Sequence, residues 1–165
     1  TVQPVQYYGH PISLSQILPI TIYNETAYSV VAETCWFNEF TFFTEKTAKP
    51  IIARRLFVVF AGQYHLRNLR RLGFETFDGI IDESYDSEPN DRKRFDMAWQ
   101  QVELLSTLDP VEVYSRAKPI LEHNYDLIPT LKNEHLKIRN FIWVFNFKLN
   151  WKFCIFTVVK MFLGV

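Results

Sequence analysis

Five residues in one short stretch could do chemistry together: Glu33, Thr44, Glu45, Lys46 and Lys49. A carboxylate accepts paired hydrogen bonds from neighbouring hydroxyls, as on a ribose. A pyrophosphate favours backbone N–H groups at a helix N-terminus together with a cation. Glu45 and Lys46 supply one group of each kind side by side. Thr44 is a candidate helix cap that could also touch phosphate, and Lys49 would add a second positive charge.

These groups need a scaffold, and the flanking sequence predicts one. Tyr28-Ser29-Val30-Val31-Ala32 is a β-branched run that reads as a strand and delivers Glu33 and Thr34 to its end. A loop rich in aromatics leads to Thr44, an N-cap type, and a helix follows with Ala48, Ile51, Ile52 and Arg55 on one face. Pro50 predicts that this helix is short or kinked. Leu56 to Phe60 is uninterrupted apolar sequence, as expected of a strand buried on both faces. The unit is strand–loop–helix–strand, with its polar residues at the carboxyl end of the first strand, where α/β sheets bind ligands.

With those residues in place, the stretch resembles the donor-binding half of two-Rossmann-domain (GT-B) glycosyltransferases. The α1,3-fucosyltransferase family is the closest in motif. Ala32-Glu33-Thr34 stands for the acidic residue after a strand, and Phe43-Thr44-Glu45-Lys46 for the family's Thr-Glu-Lys at the helix start. Leu56–Phe60 stands for the following strand. Exostosin-like sugar transferases share this pattern, and the loop from Glu33 to Glu45 is somewhat longer than in the fucosyltransferases. The resemblance implies a Rossmann-like α/β fold and a nucleotide-sugar donor. It implies donor-binding residues Glu33, Thr44, Glu45, Lys46 and Lys49, with Glu45 on the ribose or sugar and Lys46 on the pyrophosphate. It also implies transfer to a glycan or other acceptor. Such enzymes carry the acceptor site and general base on a preceding domain, which the 27 residues before the first strand do not hold. The expectation is therefore a donor half, a fragment of such an enzyme. No metal is assigned and no cofactor is firmly implied. Mg²⁺ at the acidic loop Asp78, Asp82, Glu83 and Asp86 is conceivable, but the spacing matches no dedicated cation loop, and a solvated loop is the better expectation.

The remaining chain reads as support. Residues 1–27 are broken by Pro4, Gly9-His10-Pro11 and Pro19 into short extended pieces, and Asn24-Glu25-Thr26 is turn chemistry. Gln63 to Leu72 predicts a helix with Leu66 and Leu69 inside, Arg67, Arg70 and Arg71 outside, and Gly73 as its stop. The arginines, with Arg54 and Arg55, form either an anion-binding face or a solvated surface. Asp91 to Leu105 predicts the longest helix, with Phe95, Ala98, Trp99, Val102 and Leu105 as its inner stripe. A further helix begins at Asp109-Pro110; Pro119 is expected to interrupt it and Pro129 to end regular structure. The histidines share no ligand spacing with the cysteines, which argues against zinc.

Composition bounds the class. At 165 residues with 48% apolar and 22% charged residues, the chain is globular and holds one core. Its net charge of zero conceals an imbalance: residues after Glu134 carry five basic side chains and no acid. This divides the chain into an extended segment (1–27), a Rossmann-like donor domain (28–133) and an aromatic, basic appendage (134–165). The longest uncharged run in the appendage is far short of the ~20 residues of a spanning helix. Interleaved Phe, Trp and Lys instead suit a membrane surface, with closure of the core, or an abnormal stretch of sequence after Asn133, as the alternatives. Two distant cysteines and no leader-like N-terminus point to a reducing, cytoplasmic setting, with peripheral membrane contact through 141–165. No nucleic-acid partner is expected. The rival expectation, from a different class, is a non-catalytic α/β interaction module that docks through its tail.

Overall fold

A computed structural model describes residues 5–7, 10–12, 17–18, 20–37, 41 and 43–133. Two short strands, β1 (Val5–Tyr7) and β2 (His10–Ile12), pair antiparallel. Helix α1 (Ile20–Glu25) follows, where the sequence predicts a turn at Asn24 and Glu25. Tyr23 is buried in it, and the Thr26 hydroxyl returns to the Ile22 carbonyl, so the polar residues end a helical turn rather than replace it. The tail that the sequence assigns to a membrane surface lies outside the described residues.

The central unit has the predicted order and strand bounds, while its helix ends at Ile52, short of the predicted helical position of Arg55. Strand β3 (Tyr28–Ala32), helix α2 (Glu45–Ile52) and strand β4 (Leu56–Phe60) form one right-of-way through the core, and β3 and β4 pair in parallel from Tyr28↔Leu56 to Ala32↔Phe60. Every residue of β4 is buried. At about 2 kcal/mol for each large apolar side chain removed from water, this strand is the chief apolar contribution of the unit. Pro50 sits inside α2, and the helix stops two residues later. The Arg55 amide is then bonded to the Pro50 carbonyl as the chain turns into β4.

Helix α3 (His65–Arg71) buries Leu66 and Leu69 as its spacing predicts, and Gly73 follows at φ 93°, a conformation glycine adopts without strain. Residues 74–77 form no helix or strand, and an isolated bridge joins Asp78 and Ile81 beyond them. The acidic loop is not the solvated loop the sequence suggests. It folds into a 3-10 turn, Glu83–Ser87, whose Glu83 and Asp86 are buried because each carboxylate caps neighbouring backbone.

Helix α4 (Asp91–Thr107) starts at the Asn90 cap. Its buried face is Arg94, Ala98, Gln101 and Leu105, one step round from the predicted stripe. Phe95 remains 41% exposed because the Arg94 guanidinium takes the inner position, bonded to the carbonyls of Ala61, Glu88 and Trp36. Helix α5 (Pro110–Asn133) runs through both Pro119 and Pro129, correcting the predicted break and end. Both prolines are exposed, while Val113, Ala117, Leu121 and Asn124 hold the opposite face in the core. A missing N–H on the wet side costs less than the packing retained on the dry side. The architecture is mixed α/β: a two-stranded parallel sheet with helices packed on it. Among the described residues, no helix is long and apolar enough to cross a membrane.

Candidate functional site

The carboxyl ends of β3 and β4 lie side by side, and the loops leaving them are tied together. The Glu33 amide continues the ladder to the Phe60 carbonyl, and the Gly62 amide reaches the Cys35 carbonyl. Buried Arg94 binds the Trp36 and Ala61 carbonyls from across the sheet and pairs with Asp91. One guanidinium thus fixes both strand exits relative to α4.

Into this corner the chain brings Glu33 and the first turn of α2. Glu33 is 4% exposed, and its carboxylate is surrounded by donors. Oε1 accepts from the Thr44 amide at 3.1 Å and the Thr47 hydroxyl at 2.6 Å; Oε2 accepts from the Thr44 hydroxyl at 2.6 Å and the Thr34 amide at 3.3 Å. Glu33 therefore binds the helix start, and its carboxylate is filled by this chain's own groups. Thr44 is the predicted N-cap, its hydroxyl oxygen accepting from the Lys46 amide at 3.2 Å. Thr47 in turn lies 3.2 Å from His65 Nε2 at the start of α3, and the Phe43 ring sits 4.7 Å from the imidazole. Burial pulls the His65 pKa down to about 4, with the Glu33 charge pulling in the opposite direction.

Lys46 stands at the open side of this knot. Its ammonium donates to the Thr34 hydroxyl at 2.9 Å and lies 3.9 Å from the Glu45 carboxylate. Both side chains keep about 30% of their surface in water, 27% and 31%. Lys46 thus bridges the strand exit and the helix start, with its charge at the surface above the first turn of α2. Of the amides of that turn, the Lys46 amide is taken by the Thr44 hydroxyl, and by helical geometry those of Glu45 and Thr47 lack intrahelical partners. Lys49, by contrast, is only 3% exposed. The predicted site residues divide accordingly: Glu45 and Lys46 lie at the surface, where Thr34, not among the predicted residues, joins them; Glu33 and Thr44 are their buried footing, and Lys49 lies in the interior.

The arginines that might have made an anion-binding face are individually engaged. Arg70 meets Glu83 and Thr76, Arg55 the Tyr23 carbonyl, and Arg71 the Asn68 side chain. Arg67 and Arg54 lie over the rings of Tyr64 and Tyr125.

Beside Glu33 a cleft of about 480 Å³ opens along β3 toward α4, lined chiefly by Val30, Ala32, Trp36, Phe60, Phe95 and Trp99. Its size is that of a small-ligand pocket, but its wall is almost wholly carbon.

No protein-family model, curated protein or solved structure matches this chain.

Sequence reasoning did not single out Thr47, His65 or Arg94. Thr44 and Thr47 are three positions apart at a helix start and so share a face, which is a readable pairing with an acid at a preceding strand's end. Nothing in the sequence placed His65 or Arg94 inside.

Proposed function

We propose that the chain is a Rossmann-like donor-binding domain that holds the diphosphate of a nucleotide-activated sugar at Thr34, Glu45 and Lys46. It would serve as the donor half of a glycosyltransferase of the fucosyltransferase-like type. The observation that carries this reading is the Lys46–Thr34 contact, which sets a surface ammonium over the first turn of α2 at the carboxyl end of a parallel strand. A diphosphate there meets a cation, a hydroxyl and helix-start amides together. Its developing charge on departure would be stabilised by the same groups, the part of catalysis that a donor domain contributes. Glu45 is positioned to accept hydroxyls of the ribose or sugar. Glu33, Thr44 and Lys49 support the site from inside rather than touch the ligand. Under this reading the acceptor is a glycan or other hydroxyl compound, the chain is cytoplasmic, and residues 141–165 touch a membrane surface.

Isothermal titration with a panel of nucleoside diphosphates and nucleotide-sugars tests the proposal. Binding to at least one, weakened at least tenfold in Lys46→Ala, is the expected result. Absence of binding to every member of the panel rejects it.

A second reading has its own support in the aromatic cleft. Trp36 and Phe95 are 51% and 41% exposed beside the cleft that runs along β3, as at an interaction surface. A non-catalytic interaction module would show no nucleotide binding, and Phe95→Ser would then improve its solubility.

A further inference from the structure

We infer that His65 is a positioning residue for the α2 start: acting through the Thr47 hydroxyl, it orients Glu33 and so sets the turn that carries Lys46. The inference rests on the nucleotide-sugar reading for the use of that turn, but its geometry stands independently.

The argument follows the protons. A threonine hydroxyl has one proton to give. Thr47 gives its proton to Glu33 Oε1, since an O···O separation of 2.6 Å against a carboxylate requires a proton between them. Only its lone pairs are left to face His65 Nε2 at 3.2 Å, so that nitrogen must carry hydrogen and donate. The imidazole is thereby fixed as the Nε2–H tautomer. Thr44 repeats the pattern, giving its proton to Glu33 Oε2 at 2.6 Å and accepting from the Lys46 amide. Donation therefore converges on Glu33 from both sides: from His65 through Thr47, and from the Lys46 amide through Thr44. Helix α3, the strand exit and the first turn of α2 are joined by one chain of hydrogen bonds.

The surroundings favour this direction. His65 is 1% exposed, and the Phe43 ring covers it from the loop side. The charge that acts on the imidazole is Glu33. Asp86, on the adjacent 3-10 turn, is committed to the Leu66 and Arg67 amides. On the α2 side, Lys46 and Glu45 face the open surface with Thr34, and Lys49 is buried. An apolar side chain of similar size could fill the space but could not donate to Thr47. The Thr47 hydroxyl would then be free to turn away from the carboxylate.

Three measurements on the full chain test the inference. A long-range ¹H–¹⁵N spectrum at neutral pH should show His65 protonated at Nε2 and bare at Nδ1; the opposite tautomer overturns it. Amide exchange at Thr44 and Lys46, whose amides the network bonds, should accelerate at least tenfold in Thr47→Val and His65→Leu, yet stay near wild type in Thr47→Ser and His65→Gln, which restore a hydroxyl and an N–H donor. Equal exchange in all four variants overturns it. Titration with GDP and UDP, as probes, should show the same division, with about tenfold weaker binding in the first pair. If the wild-type chain binds no member of the nucleotide and nucleotide-sugar panel while the spectrum and exchange behave as stated, the nucleotide-sugar reading is at fault and the positioning role stands.

Discussion

Two buried acidic corners flank α3, and they are built differently. At the strand exit, Glu33 is satisfied entirely by neutral donors: two hydroxyls and two amides. On the 3-10 turn, Glu83 combines the Thr76 hydroxyl and the Phe77 amide with the Arg70 guanidinium at 2.8 Å. The second corner neutralises its own charge and ends there. The first leaves its cation, Lys46, on a hydroxyl at the surface. A corner whose cation is paired with its buried carboxylate is framework; one whose cation rests on a neutral hydroxyl retains something to offer an anion. This difference distinguishes the candidate site from its structural neighbour.

Removing the acids should break the comparison most visibly. Glu33→Ala strands the Thr44 and Thr47 donors in a closed corner, with an expected loss of about 3–5 kcal/mol in urea unfolding. Glu83→Ala should cost less, about 2–3 kcal/mol, because the Arg70 side chain is 42% exposed and can return to water. Equal losses would mean that the two corners are equivalent footings.

Acid should act on the corners in opposite directions. His65 has a folded pKa of about 4, below its ordinary value near 6.5. Its contribution to stability is complete above about pH 6.5 and is lost as pH falls toward 4, about 3 kcal/mol in all. Burial raises the pKa of both Glu83 and Asp86. Their protonated forms are favoured in the fold, so their contribution is present below the ordinary carboxylate range and lost as pH rises through the raised values. His65→Gln should therefore flatten the fall in urea midpoint between pH 6.5 and 4. An unchanged slope would remove His65 from the acid response.

Much of this was readable in the sequence, for reasons that are local. Tyr28–Ala32, Leu56–Phe60 and the Thr44 cap are specified by composition and spacing within a few residues, and the structure has them at those positions. The orientation of Glu33 is not local. An acid after a strand can face a ligand or its own chain, and the deciding hydroxyls lie eleven and fourteen positions later. Asp86 and Glu83 looked like solvated loop residues because only the folded-back 3-10 turn brings amides to them. Pro119 and Pro129 were misleading in the other direction, since the packing of the opposite face of α5 keeps the helix together.

Helix caps provide a finer comparison. Asn90 caps α4 through one side-chain bond to the Lys93 amide, on the exposed surface. Thr44 caps α2 and also donates into Glu33. Asn90→Ala should cost about 1 kcal/mol, a usual figure for a lost cap. Thr44→Ala should cost about 2 kcal/mol because a buried acceptor loses its donor as well. Thermal unfolding of the two variants checks the ranking, and equal shifts would place Thr44 among ordinary caps.

The smallest effect on stability should accompany the largest effect on binding. Lys46→Ala removes one bond to a hydroxyl and a long contact to Glu45, both at the surface, and should change stability by less than about 0.5 kcal/mol. Arg70→Ala, in the other corner, should cost about 1–3 kcal/mol because Glu83 stays buried without its cation. Diphosphate binding should show the reverse, being lost with Lys46 and kept with Arg70. Parallel urea unfolding and GDP titration of the two variants measure both axes. If Lys46→Ala proves as destabilising as Arg70→Ala, the lysine is framework like the arginine, and the strand-exit corner loses its claim to a ligand.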